Sequence, residues 1–247
     1  TISVSVAAAP SATINYFGNP FCSTVPLVSV TRTGTTGGTY SVSPAGLSIV
    51  SGNGNIAPAS STPGTYTVTY TVPGANGCAA FSTTTSVTIT AAPSATITYA
   101  NGPFCGSVAS VPVVRTGTAG GSYSAAPAGL SLQSSTGSIA PASSTAGAYT
   151  VTYTVPASGG CAAFSTTASA AILASTTWYA DVDGDGAGDP ASSVSACAQP
   201  VGHVANANDG CPNDPAKSAP GNCGCGNPEP GTPCNDGNAS TGNDMWN

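Results

Sequence analysis

The sequence predicts an all-β fold in three parts: two tandem β-sandwiches and a loop-rich C-terminal segment of different chemistry. Shifting the 247-residue chain by 83 positions lays residues 10–90 on 93–173 without a gap, and roughly 53 of the 81 aligned positions are identical. A gapless period of that length marks the duplication of one structural unit. Within each copy, short runs of β-branched and aromatic residues alternate with Ser and Thr and are bounded by Gly and Pro, and no stretch carries a 3.6-residue apolar period. Charge is partitioned as well: Arg32 and Arg115 are the only charged side chains before Asp181, with which the nine acids begin.

That partition excludes whole classes of function. General acid–base chemistry needs a titratable group within hydrogen-bond reach of the reacting proton, and the first 180 residues offer only Tyr and Cys. The expectation is a protein that is not an enzyme. Nucleic-acid binding needs clustered Lys and Arg to displace counterions, and a chain with three basic residues and a net charge of -6 has no such cluster. No run of about 18 apolar residues is long enough for a membrane-spanning helix. The N-terminus has neither a starting Met nor a charged leader, as expected of a processed chain. Nine Cys beside abundant Gly, Pro, Ser and Thr fit an oxidising, extracellular setting; metal-binding thiols are the competing use.

The chain opens on a surplus element, residues 1–9. TISVSVAAAP (1–10) falls on TTSVTITAAP (84–93), the last strand of the repeat, so three copies of that strand serve two domain bodies. Ile2, Val4 and Val6 alternate with Thr1, Ser3 and Ser5, which gives the strand one apolar face to bury. It is expected either to add to a sheet of a neighbouring subunit as a donor strand, or to pair in cis with the first body, or else merely to mark where an array of repeats was cut. A head-to-tail contact of the first kind generates a filament unless its rotation closes a ring.

The first body spans residues 10–91 and the second 92–174. SATINY, PLVSV, TYSVSP, LSIVS, TYTVTYTV and FSTTTSVTI read as strands of the first, with matching runs in the second. Arg32 and Arg115 fall at equivalent strand positions with no acid nearby, so they are expected to bond carbonyls or stack on Tyr; an intersubunit contact to a tail Asp is the other use. The repeated Tyr and Phe residues read as core and cross-strand pairs. PAGLSIVSGNGNIAP followed by GTYTVTYTV resembles the tandem immunoglobulin-like repeats of bacterial secreted and surface proteins, which implies two immunoglobulin-like sandwiches over residues 10–174.

Cys22 and Cys78 are 56 positions apart, as are Cys105 and Cys161, which favours one disulfide within each body. In an immunoglobulin topology, however, the two loops lie at opposite poles, and a link from Cys22 to Cys161 across a junction or between subunits is the alternative. Cys197, Cys211, Cys223, Cys225 and Cys234 remain, an odd number that leaves one free or paired outside these residues.

Residues 175–247 form the acidic part. In WYADVDGDGAGDP, Asp181, Asp183 and Asp185 occupy loop positions 1, 3 and 5, Gly186 position 6, Ala187 position 7 with its carbonyl, and Asp189 position 9. All-oxygen donors at that spacing suit a hard cation, calcium first. Position 12 is Ser192 rather than Glu and the flanks are not helical, so the loop departs from an EF-hand. It resembles instead the calcium loops of thrombospondin type 3 repeats. The resemblance extends through NANDGCPNDPAKSAPGNCGCG and implies Asn206, Asn208, Asp209 and Asp214 as further ligands. The module is thus expected to be ordered by calcium and disulfides, and the Asp-rich run at its end to continue in the natural protein. His203, the sole His, reads as a solvated or hydrogen-bonded loop residue.

The function expected from these features is that of a non-catalytic structural subunit of an extracellular bacterial fibre or surface assembly, with copies of itself as partner. An adhesin or carbohydrate-binding module, or a spacer in a larger secreted protein, is the alternative. Sheet edges with almost no charge to protect them fit deliberate association or a covering of sugar. Asn238-Ala239-Ser240 is an N-glycan acceptor pattern.

Overall fold

The structure, a computed structural model, describes residues 6–221 and 224–226. Ile2, Val4, Cys223, Cys234 and Asn238 lie outside the described residues. The chain is all-β. In the first copy the strands are β1 (Ala12–Asn15), β2 (Phe21–Cys22), β3 (Thr31–Gly34), β4 (Thr39–Ser43), β5 (Gly64–Val72) and β6 (Phe81–Thr90). A four-stranded sheet of order β2-β6-β5-β4 accompanies a two-stranded sheet of β1 and β3.

β5 is the spine, for a reason visible in its letters. Alternation sends Tyr66, Val68, Tyr70 and Val72 inward and Thr65, Thr67, Thr69 and Thr71 toward the other face. β6 runs antiparallel along its whole length, with Gly64 opposite Ile89 and Val72 opposite Phe81. Ile14 and Tyr16, Ile56, and Val87 and Ile89 complete the buried core. The tyrosine hydroxyls tie the loops to this core. Tyr70 donates to the Thr35 carbonyl (3.1 Å) and accepts from Gly38 N–H (2.9 Å), while Tyr16 donates to the Gly54 carbonyl. Gly54 is obligatory there: its φ is +77°, and a Cβ would lie 2.7 Å from the Tyr40 ring.

The second copy repeats these elements as β7 (Ala95–Thr98), β8 (Phe104–Cys105), β9 (Val114–Gly117), β10 (Ser122–Ala126), β11 (Gly147–Val155) and β12 (Phe164–Leu173). Its sheets have the matching orders β10-β11-β12-β8 and β7-β9. PLVSV and LSIVS are not strands: each contributes one bridge, Val28 and Ile49 both meeting Ile56, as Val111 and Leu132 meet Ile139. Burial goes with the expected reading of the aromatics, because Tyr40, Tyr66, Tyr70, Tyr123, Tyr149 and Tyr153 are all core. Both arginines follow expectation. Arg32 bonds the Thr35 carbonyl and lies 5.4 Å from the Tyr70 ring centroid; Arg115 bonds the Thr118 carbonyl and lies 5.5 Å from that of Tyr153.

The C-terminal segment is less loop-like than expected. β13 (Thr176–Ala180), β14 (Ser193–Ala196) and β15 (His203–Val204) form a sheet of order β14-β13-β15. Trp178 sits opposite Val194 and donates its indole N–H to the Ala196 carbonyl (3.1 Å). His203 is a strand residue, with its Nδ1 3.1 Å from the Val201 carbonyl oxygen.

By contacts the chain divides into two compact units. One gathers residues up to Thr96 with Arg115–Gly121 and Tyr153–Thr166; the other gathers Ile97–Val114, Ser122–Thr152 and the chain from Thr167 on.

The favoured pairing of cysteines within each copy is corrected. The disulfides among the described residues are Cys22–Cys161, Cys105–Cys197 and Cys211–Cys225, and Cys78 is free. Strand length is the reason. β2 lies parallel to the end of β6, Cys22 opposite Thr90, whereas Cys78 precedes the start of β6 at Phe81. Ten residues of strand separate those poles by about 33 Å, far beyond the Cα–Cα reach of a disulfide. The alternative link from Cys22 to Cys161 is the one formed, and both of its cysteines belong to the first compact unit.

Candidate functional site

The acidic loop leaves β13 at Ala180 and returns at Ser192, which accepts the Ala180 N–H (2.9 Å). Between them the carboxylates fold back on their own backbone. Asp181 accepts from Gly184 N–H (2.8 Å) and Gly186 N–H (3.2 Å), and Asp185 accepts from Ala187 N–H (2.7 Å). Gly184 and Gly186, at φ +84° and +87°, supply the left-handed turns that alternate-residue carboxylates require in order to converge. As a result one oxygen from each of Asp181, Asp183 and Asp185 lies within 4.8 Å of the others.

A second loop closes against the first. Asp209 N–H donates to the Gly188 carbonyl (3.0 Å), and Asn206 Oδ1 accepts from Gly188 N–H (3.1 Å) while its Nδ2 donates to the Gly186 carbonyl (2.9 Å). The seam depends on Gly188, which the sequence reading passed over: a Cβ there would lie 2.4 Å from the Asn206 carbonyl oxygen and 2.5 Å from Tyr179 Cβ. Its signal is weak, one glycine in a glycine-rich run.

Among the described residues, Asp183 Oδ2 and Asp209 Oδ2 are carboxylate oxygens buried with no hydrogen-bond partner. Asp209 is only 1% exposed, and its other oxygen accepts from Cys211 N–H (2.7 Å). A buried carboxylate oxygen without a partner is costly, and a bound cation is the ordinary remedy. The residues therefore fit a hard cation held by oxygen donors alone.

The other expected ligands are placed differently. Asp189 lies outside the three-carboxylate cluster and caps Ala191 N–H (2.8 Å). Asn206 bridges the two loops, and Asn208 donates its N–H to the Asn206 amide oxygen (3.3 Å). Both oxygens of Asp214 are occupied by backbone, from Ala216 N–H (3.2 Å) and Gly226 N–H (2.6 Å), beside the Cys211–Cys225 bond. Ala187, whose carbonyl was expected as the position-7 ligand, is buried in the first loop.

No protein-family profile matches the chain, and no curated protein matches it. Solved structures of cadherin and titin fragments resemble it at low similarity. Mouse cadherin-23 EC22-24 is 16% identical over 67% of this chain and 65% of that one, with a TM-score of 0.31. Drosophila N-cadherin EC1-4 is 10% identical over 65% of this chain and 49% of that one, at 0.35. An I-band fragment of titin is 12% identical over 68% of each chain, at 0.38. The chain thus spans 65% and 49% of the two cadherin structures. Among the described residues, no helix is long and apolar enough to cross a membrane.

Proposed function

We propose that this chain is a non-catalytic structural subunit of an extracellular assembly, joined head to tail by addition of its N-terminal strand to a sheet of another subunit. One observation carries the reading. Val6 is 92% exposed, whereas the residues one and two periods on, Ile89 and Ile172, are 2% and 3% exposed in the cores of their bodies. The same sequence position is core wherever a body surrounds it, so a body of another subunit that covers Val6 would bury it as Ile89 and Ile172 are buried. In this frame residues 10–91 and 92–174 are the repeat bodies, and 175–247 is a thrombospondin type 3-like module. Its carboxylates Asp181, Asp183 and Asp185, with the buried Asp209, would hold calcium, which supplies positive charge for otherwise unpaired oxygens. Three disulfides among the described residues support an oxidising, extracellular location, and a bacterial surface fibre is the setting the repeats favour.

Negative-stain microscopy of the full chain and of a form lacking residues 1–9, both in calcium, tests the reading. Filaments from the full chain and dispersed particles from the shortened one are expected. Equal assembly by both forms would contradict strand addition.

A further inference from the structure

The free Cys78 is one of three equivalent stations along the chain, and the other two are complete. At the second station the end of β6 carries β2 parallel beside it, Phe21 opposite Ile89 and Cys22 opposite Thr90. Cys161 then bonds Cys22 with its sulfur 3.8 and 3.6 Å from the Thr90 and Ala91 carbonyl oxygens. At the third, the end of β12 carries β8 in the same way, Phe104 opposite Ile172 and Cys105 opposite Leu173. Cys197 bonds Cys105 there, its sulfur 3.7 Å from the Leu173 carbonyl oxygen.

The first station has the same parts except one. Residues 7 and 8 lie one 83-residue period before Thr90 and Ala91, and Cys78 lies one period before Cys161. The Cys78 sulfur is 3.9 Å from both the Ala7 and the Ala8 carbonyl oxygens, half-buried and free among the described residues. Among the described residues no Phe-Cys strand lies beside residues 6 and 7 and no body covers Val6. Thiol and exposed apolar side chain are separate observations with one explanation. Cys22 and Cys105, the two cysteines of this type in the chain, are already bonded.

We propose that Cys78 forms a disulfide with the β2-type cysteine of a further copy of this repeat, whose Phe-Cys strand lies parallel to residues 6–7. In both bodies here the last-strand place, between β2 and β5 or between β8 and β11, is filled by the body's own β6 or β12, so a subunit of this sequence accepts the strand only if residues 6–7 of the donor arrive before its own last strand and the bond at Cys22 or Cys105 have formed. The chemistry is thiol–disulfide exchange with an oxidised dithiol carrier. The Cys78 thiolate attacks the carrier disulfide to give a mixed disulfide; the partner thiolate then displaces the carrier, which leaves as a dithiol holding the two electrons. The two thiol protons end on the carrier dithiol, so none is released net.

The proposal deepens the strand-addition reading, and the test separates the two. Assembled full-length protein is alkylated with iodoacetamide without reductant, digested and mapped by mass spectrometry, alongside gels run with and without reductant. The expected result is Cys78 unalkylated and joined to a Phe-Cys peptide, with a ladder of bands that collapses on reduction. The same peptide pair without a ladder puts the further copy in the same polypeptide, which supports the disulfide and overturns joining between subunits. Filaments whose Cys78 is alkylated, or is bonded to Cys223 or Cys234, overturn the disulfide and leave strand addition standing. A Cys78→Ser chain, whose substitution falls at a half-buried turn, should melt as the parent does and lose the ladder.

Discussion

The sandwich repeats and the acidic module are built from nearly opposite materials. In the repeats the apolar alternation of β5 fills the core, tyrosine hydroxyls close the loops, and the only charges are two arginines set against tyrosine rings. The module has a three-stranded sheet but little apolar matter, and its loops are shaped by carboxylates bonded to backbone N–H groups. The first design is complete when the chain folds; the second leaves Asp183 and Asp209 each with a buried oxygen unmatched. Order in the repeats should therefore depend on packing, and order in the module on a cation.

The largest effect that would sharpen this contrast is expected at those two acids. Asp183→Asn or Asp209→Asn should weaken calcium binding by on the order of ten- to a hundredfold, read by calorimetric titration. In chelator the same substitutions should stabilise the module, because they remove a buried charge that nothing compensates. Destabilisation under both conditions would mean that the carboxylates serve the fold without an ion. A smaller effect is expected at Tyr70→Phe, which leaves the Thr35 carbonyl and Gly38 N–H without their buried partner and should cost about 1–3 kcal/mol in denaturant unfolding of the repeats. Calcium affinity should not move.

The mildest change is a pH dependence confined to the repeats. Burial pushes the Tyr99 hydroxyl up to about 12, with the neighbouring Tyr123 adding to it, and raises Tyr16 further for the same reason, with Tyr40 adding. The folded state thus holds these protons more tightly than the unfolded chain, where tyrosine titrates near 10. Their contribution is fully present below pH 10 and is lost as pH rises through about 12. Thermal melts should accordingly show repeat stability flat from neutral pH to 10 and falling above it. A decline beginning near neutral pH would point to a different group.

Much of this was legible in the sequence, and the exceptions share a physical cause. TYTVTYTV announces a half-buried strand because eight residues of alternation leave no other reading. β2 and β8, two residues each, carry no periodicity, yet their parallel placement beside β6 and β12 decides which cysteines meet. A spacing of 56 reports the repeat and not the distance between poles, which is why the favoured pairing failed. In the module the alternation of Asp181, Asp183 and Asp185 with Gly186 revealed the loop at once. The burial of Asp209 and the need for Gly188 arise from the closure of one loop on another, and local spacing cannot express that. The sheet around Trp178 was hidden because its β14 and β15 partners are short and polar.

Hydrogen–deuterium exchange of the full chain, in calcium and in chelator, tests the division between the two materials most directly. Amides of residues 181–211 should lose their protection when calcium is removed, while those of β5, β6, β11 and β12 keep theirs. Unchanged protection of residues 181–211 in chelator, or its loss together with that of the repeat strands, would contradict the account.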